Sequence, residues 1–320
     1  MKSWRRQKIR QRASIAVIAM LFAAVGIYFT FRLLAAPIGT IVEVEQGTLT
    51  PPAQKVPDAD AAGQMAVRFA AVTPPPTGST YNAKILADNP VLFLPMVVTS
   101  TTEKDESANH AHNGTYKPGL PGKTTMPNGD PAAVFNGTGN YLEVADANDL
   151  STVNKGYLTI EAWMRPDVLN FPRSEAEGYV HWMGKGVPGQ HEYVSRIYNK
   201  ASGRPNRISG YAYNLGGGLG AGSYFEDALT AGQWIHYTVV TDIVNLNGGY
   251  GTIRIYKNGV LRDQDSLGGE YNIHPANGTA PFRVGTRDLN SFFQGAIGKV
   301  AIYNYALSAA QISAHYQAMK

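Results

Sequence analysis

Two pairs of acids stand at i, i+2 spacing, Glu175 with Glu177 and Asp263 with Asp265. On an extended strand such residues share a face, and two carboxylates facing one bond are the equipment of glycoside hydrolysis. The first pair, however, lies in Phe171-Pro-Arg-Ser-Glu-Ala-Glu-Gly178, which reads as a loop, and the second lies beside a hairpin. Solvated loop charge accounts for both. Glu161 is followed by Ala-Trp-Met-Arg and has no acid to work with. His110 and His112 share one side of an extended segment and have the chemistry to hold a transition metal, with Asp105 as the one evident third ligand. A solvated loop is the better reading of the two. Seven scattered histidines make no Ser/His/Asp arrangement, and the absence of cysteine removes thiol catalysis, thiolate metal sites and disulfides.

Recognition chemistry is better supplied. Aromatic residues crowd the stretch from Tyr179 to Phe225. Alternation puts Tyr211 and Tyr213 on one face of a strand together with Arg207 and Ser209, and Arg196 with Tyr198 on one face of the strand before it. The candidate ligand-binding residues are therefore Trp182, Arg196, Tyr198, Tyr211 and Tyr213. A solvated sheet covered by amphipathic side chains is the plainer reading of the same face.

The elements that must position these residues are strands. Tyr141–Val144, Leu158–Met164, Tyr193–Tyr198, Arg207–Asn214, Trp234–Val240, Thr252–Tyr256, Phe282–Val284 and Ala296–Tyr303 are rich in β-branched and aromatic residues. Asn258-Gly259 marks a two-residue hairpin, because both residues accept positive φ. Short strands at this spacing, with 34 glycines for turns, predict a sandwich or barrel. One helix is expected at the end: Ser308 and Gln311 form a capping box, Leu307 and Ile312 a hydrophobic staple, and Ala309–Met319 the helix. Gly216–Gly222 reads as a rim loop, not a phosphate loop.

The N-terminus reads differently. Residues 1–13 form a basic tail. Residues 14–36 follow as an apolar segment whose first eighteen positions carry no charge. At ~1.5 Å per residue those eighteen span about 27 Å, close to the hydrocarbon thickness of a bilayer. Six cations before the segment and no acid predict a cytoplasmic N-terminus and an exported C-terminus. Residues 37–80, broken by Pro51-Pro52, Pro57 and Pro74-Pro75-Pro76, read as a stalk, with Gln64–Val72 apolar enough for a short helix or docking strand. The rest, 81–320, is the displayed domain. The pI near 9.0 belongs to the anchor: residues 1–36 hold seven of the 28 basic residues and no acid, leaving 21 basic against 24 acidic beyond. That balance excludes a phosphate-binding face, and no nucleic-acid partner is expected.

Several blocks occur in one order. Asp88-Asn-Pro90 leads to Val91-Leu-Phe-Leu94, then Asp105-Glu-Ser107 to Asn113-Gly-Thr-Tyr116, Phe135-Asn-Gly137 with Tyr141-Leu142, and Thr159-Ile-Glu-Ala-Trp163. Trp234-Ile-His236, Ile255-Tyr-Lys-Asn-Gly259, Gln294-Gly295 with Val300-Ala-Ile-Tyr303, and Leu307-Ser308 to Tyr316 complete the series. Over roughly residues 85–318 this resembles the laminin-G-like jelly roll of the concanavalin A-like lectin/glucanase superfamily. The resemblance implies an all-β fold, a two-sheet antiparallel jelly-roll sandwich with a short C-terminal helix, here preceded by a single transmembrane helix. It implies sugar binding on the concave sheet or its rim. It also implies one structural Ca²⁺ with Asp105 as a ligand, although the family's Gly-Xaa-Ile-Asp-Glu-Val is here Gly295-Ala-Ile-Gly-Lys-Val300. The acid strand of the superfamily's glucanases is missing.

The reading is a membrane-anchored extracytoplasmic binding module, not an enzyme, whose partner is a glycan or a protein at the cell envelope. A degenerate glycan hydrolase and a purely structural surface protein are the alternatives.

Overall fold

The computed structural model describes residues 53–57, 65–69 and 80–320, except 177, 218 and 248. The basic tail and the expected transmembrane segment lie outside the described residues, as does most of the stalk. Among the described residues no helix is long and apolar enough to cross a membrane. Within the stalk, β1 (Ala53–Pro57) pairs antiparallel with β2 (Met65–Phe69), Ala53 opposite Phe69 and Pro57 opposite Met65. The expected docking strand thus exists, but its partner is a segment read as irregular.

The main unit opens on a helix where no element was expected, α1 (Thr80–Ala87), followed by β3 (Leu92–Leu94). Two antiparallel sheets follow. The first runs β13 (Gly220–Phe225), β12 (Ile208–Tyr213), β11 (Gln190–Tyr198), β10 (Tyr179–Val187), β17 (Phe282–Val284), β8 (Tyr141–Val144), β5 (Gly114–Lys117), β4 (Thr102–Glu103). The second runs β16 (Val260–Ser266), β15 (Tyr250–Lys257), β14 (Ile235–Asn247), β9 (Tyr157–Pro166), β18 (Gln294–Tyr303), β7 (Pro131–Asn136), β6 (Gly122–Thr125), with β3 on β18. The chain closes on α2 (Ala309–Ala318), which carries the expected capping box. Asn258 and Gly259 adopt φ of 54° and 79°, as the hairpin between β15 and β16 requires. The glycine-rich rim loop is corrected in part: its last three residues, from Gly220, form the start of β13 and pair with β12.

The apolar core fills the space between the sheets, where Trp182 of β10 meets Tyr237 of β14 edge-on at 4.9 Å. Strand β9 is buried on both faces. Leu158, Ile160, Ala162 and Met164 point into this core. Trp163, with Thr159 and Glu161, points the other way, where α1 and α2 cover the second sheet. That double burial explains its near-continuous apolar sequence.

Glu161 is the exception inside that apolar layer. Its Oε1 accepts from Tyr81 Oη of α1 at 2.8 Å and contacts His236 Nε2 of β14 at 2.9 Å. Its Oε2 lies 2.8 Å from His315 Nδ1 of α2, whose Nε2 reaches Asp88 at 2.7 Å. Burial favours the neutral acid, but the His236 and His315 rings outweigh it and hold the carboxyl down at about 2. Burial works against the charge on His315, and Glu161 with Asp88 overcomes it, raising its pKa.

Removing one partner of a buried ion pair costs about 3–5 kcal/mol, so Glu161→Ala is expected to lose that much in urea denaturation. The pH dependence has two limbs. The Glu161 contribution is present above its ordinary 4.5 and is lost as pH falls through about 2. The His315 contribution is full below its ordinary 6.5 and is lost as pH rises through the raised folded value. His315→Gln should flatten the alkaline limb and move the acid limb to higher pH, because one of the two rings that hold the Glu161 carboxyl down is lost.

Candidate functional site

The outward face of the first sheet carries the polar and aromatic residues. On β10, Tyr179 and His181 face out while Val180 faces the core, and β11 repeats the pattern with Arg196 and Tyr198 about Ile197. On β12, Tyr211 and Tyr213 flank the core residue Ala212. The register sets Tyr179 against Tyr198 and His181 against Arg196 across one strand pair, and Val194 against Tyr211 across the next. Arg196 is thereby enclosed by tyrosines. Its guanidinium carbon stands 4.2 Å from the Tyr179 ring centre and 4.6 Å from that of Tyr211. Its Nη1 donates to Tyr198 Oη at 3.1 Å and its Nη2 to Tyr213 Oη at 2.9 Å. Phenol hydroxyls, not carboxylates, are its hydrogen-bond partners. Burial raises the Tyr198 hydroxyl, and the Arg196 charge outweighs burial and lowers its pKa.

Of the five residues named from sequence, the structure brings four together: Arg196, Tyr198, Tyr211 and Tyr213. Trp182 is corrected. It is fully buried between the sheets, because its strand position alternates with His181 and faces the core. Tyr198 and Tyr213 are themselves nearly covered and hold Arg196 in place, while Tyr211 remains half-buried. Beside it a cleft of about 330 Å³ is lined by Tyr211, Tyr224, Arg207, Arg204, Glu270 and Tyr271, among others. The Arg207 guanidinium lies 3.8 Å over the exposed Tyr224 ring. Sugar C–H groups and hydroxyls are suited by such a floor of aromatic rings and fixed donors.

A second group on this face was not foreseen. Glu175, in the turn before β10, has Oε1 3.0 Å from His181 Nδ1, and Asp288, in the loop after β17, has Oδ2 3.6 Å from the same nitrogen. Ser291 Oγ donates to Glu175 Oε1 at 2.8 Å and accepts the His181 backbone N–H at 3.0 Å. Arg287 donates to Asp288 Oδ2 at 2.6 Å. Burial opposes both charges, but the neighbouring His181, with Arg287 at Asp288, keeps both carboxyls below their ordinary values. Only the i, i+2 spacing of Tyr179 and His181 hinted at this group; nothing local signals Asp288. Of the paired acids, Glu177 lies outside the described residues. Asp263 accepts from Ser223 Oγ at 2.9 Å and Tyr224 N at 3.1 Å, pinning β13 to β16.

Asp105, the residue expected to ligate a cation, brackets the backbone of its own loop and of β3. Its Oδ1 accepts the N–H groups of Phe93 at 3.0 Å and Ser107 at 2.9 Å, and its Oδ2 that of His112 at 3.0 Å. Where the family pattern has an acid, Lys299 is 1% exposed and reaches Asn82 at 2.7 Å and Asp130 at 2.9 Å. The two loop histidines part company. The His110 ring contacts the Asp105 carbonyl at 2.8 Å, and His112 contacts Asp149 at 3.0 Å.

A two-sheet antiparallel sandwich with one outward face of aromatic and polar groups is the architecture of jelly-roll binding domains. A laminin-G-type family profile, described as the concanavalin A-like lectin/glucanases superfamily, matches residues 136–313, and the chain belongs to this superfamily. No curated protein matches it in sequence. Among solved structures it is similar to the binding domain of botulinum neurotoxin DC in complex with SialylT (15% identity, 73% of this chain, 52% of that one, TM-score 0.52). The same measures describe that domain in complex with rat synaptotagmin II. The botulinum neurotoxin type C structure whose cell entry depends on two ganglioside molecules is 13% identical, with the same coverage and TM-score. The chain spans about half the length of these structures, and at such identity the likeness is one of fold.

Asp105→Ala is expected to lower the melting temperature through the lost backbone bonds; an equal loss in EDTA and in excess Ca²⁺ assigns Asp105 to those bonds alone, and a larger loss in Ca²⁺ assigns it to a cation as well. Trp182→Ala should cost about 3–5 kcal/mol of stability as a core deletion.

Proposed function

We propose that the chain is a membrane-anchored, extracytoplasmic binding module that recognises glycan on the outward face of its first sheet. The observation that carries this reading is Arg196 fixed among four tyrosines beside an open cleft floored by Tyr211 and Tyr224. A preorganised guanidinium and rigid rings lose little entropy on binding, which suits weak, polar ligands such as sugars. The superfamily includes lectins, and the neurotoxin domains of like fold are described with glycan and with protein partners. A protein at the cell envelope is the second occupant this face suits.

Hydrolysis fits poorly. A general acid for glycoside cleavage needs a raised pKa, whereas Glu175 and Asp288 are both lowered. Display outside the membrane is supported by the sequence alone, through the apolar span at 14–36 and the six cations before it.

On a glycan array the purified chain should bind a defined set of sugars. Tyr211→Ala should weaken binding by roughly 0.5–1.5 kcal/mol, in the range of a lost aromatic contact, and Tyr213→Ala should weaken it by releasing Arg196. Tyr211→Ala, at a half-exposed position, should leave the melting temperature nearly unchanged. Silence across all glycans overturns the sugar reading and leaves the protein partner. In intact cells, external protease should remove a C-terminal epitope, and protection of that epitope overturns the exported topology.

A further inference from the structure

The group formed by Glu175, His181 and Asp288 adjoins the tyrosine cage, with His181 opposite Arg196 and its ring 5.1 Å from that of Tyr179, but uses side chains that are not part of the cage. Its three donor atoms come from separate segments yet all lie within 4.8 Å of one another. Each is held by a neighbour. Ser291 fixes Glu175 and the His181 backbone, Arg287 fixes Asp288, and Arg283 Nη1 donates to the Arg287 carbonyl at 2.7 Å.

His181 is 2% exposed, and neither ring nitrogen has a hydrogen-bond partner. An imidazole so buried and unpartnered is costly and calls for a physical reason. Its Nδ1 has carboxylate oxygens at 3.0 and 3.6 Å, two acceptors for the single proton that this nitrogen can carry, and its Nε2 has none. Ligands sharing a metal are arranged in this way. Bonds of ~2.0–2.1 Å at tetrahedral angles set neighbouring donor atoms about 3.3 Å apart, a spacing that the two contacts bracket.

We propose that Glu175, His181 and Asp288 form a divalent transition-metal site, one imidazole and two carboxylates, suited to Zn²⁺. The two carboxylates match the charge of the dication. Nitrogen with oxygen favours Zn²⁺ over Ca²⁺, which takes six to eight oxygens. Ser291 and Arg287 orient the ligands from outside, as second partners of metal-bound carboxylates do. Glu175, with its side chain 20% exposed, gives the ion a way in. The site shares no residue with the Asp105 loop or with the tyrosine cage around Arg196.

The test uses the full-length chain in detergent, stripped with chelator and titrated with ZnSO₄. One saturable equivalent and a higher melting temperature are expected. His181→Ala and Asp288→Asn should weaken binding by more than about tenfold, and His112→Ala, on the Asp105 loop, should not. Because both of the first two side chains are buried, Co²⁺ added to the unmodified chain supplies a reading that needs no variant. It should show the visible bands of a four-coordinate site, abolished by one equivalent of Zn²⁺. Absence of a saturable equivalent, absence of those bands, or Zn²⁺ binding unchanged in His181→Ala each overturns the proposal. In the first two cases a protonated His181 bridging two carboxylates accounts for the cluster.

Discussion

A carboxylate cut off from water sits in the middle of β9, and much of the domain is arranged around it. A buried charge persists only where it is paired and hydrogen-bonded. Glu161 meets that condition with partners from three remote parts of the chain, Tyr81, His236 and His315. Two of these stand on helices, so α1 and α2 are tied to the same strand although they lie at opposite ends of the domain. Trp163 completes the contact, stacking on Tyr316 of α2 at 5.8 Å and meeting Tyr81 of α1 edge-on at 6.4 Å. The Glu-Ala-Trp of β9 is therefore a docking surface for helices: the acid gives direction and the indole gives area.

Covering one sheet decides what the other can do. With the outer face of the second sheet closed by helices, the outward face of the first is where alternation leaves polar side chains free to meet a partner. Those side chains cover one another instead of standing in water. Arg196 lies between rings, Arg287 lies 5.5 Å from the Tyr213 ring centre, and Arg283 pairs with Glu143 at 2.7 Å. Held guanidinium groups of this kind contribute less to stability than apolar side chains of equal volume. Proteins keep such arrangements where binding needs a fixed geometry.

What was legible in the sequence followed from short-range rules. Tyr141–Val144 and Phe282–Val284 coincide with β8 and β17, and the capping box and the Asn-Gly hairpin need only three or four residues to declare themselves. The cage was half legible for the same reason, since alternation places Tyr211 with Tyr213 and Arg196 with Tyr198. Trp182 was misplaced because β10 was not recognised as a strand: Gly184 and Gly186, with two register irregularities, obscure its pattern. Helix α1 hid behind a proline-rich run and has no acid in its first turn. Glu161 looked inert because its partners lie 75 to 154 residues away. The backbone N–H groups that surround Asp105 were not legible, because only the fold brings Phe93 and His112 to it.

The two buried histidine–carboxylate groups also show how a structural charge differs from one available for function. Both ring nitrogens of His315 are engaged, one by Glu161 and one by Asp88, and both oxygens of Glu161 have partners. Around Glu161 and His315 that group is closed, and only the Nδ1 of His236, on the side away from the carboxylate, lacks a partner. His181 has equal burial and similar neighbours, yet neither of its nitrogens is satisfied. Since an unmade hydrogen bond costs more than a made one contributes, the chain bears a cost at His181 that it avoids at His315. Both clusters fold from the same kinds of residue, so composition does not separate them. The difference lies in geometry. On the helix-backed sheet each oxygen of Glu161 and each nitrogen of His315 meets its own partner, whereas on the open face two carboxylates share one nitrogen of His181.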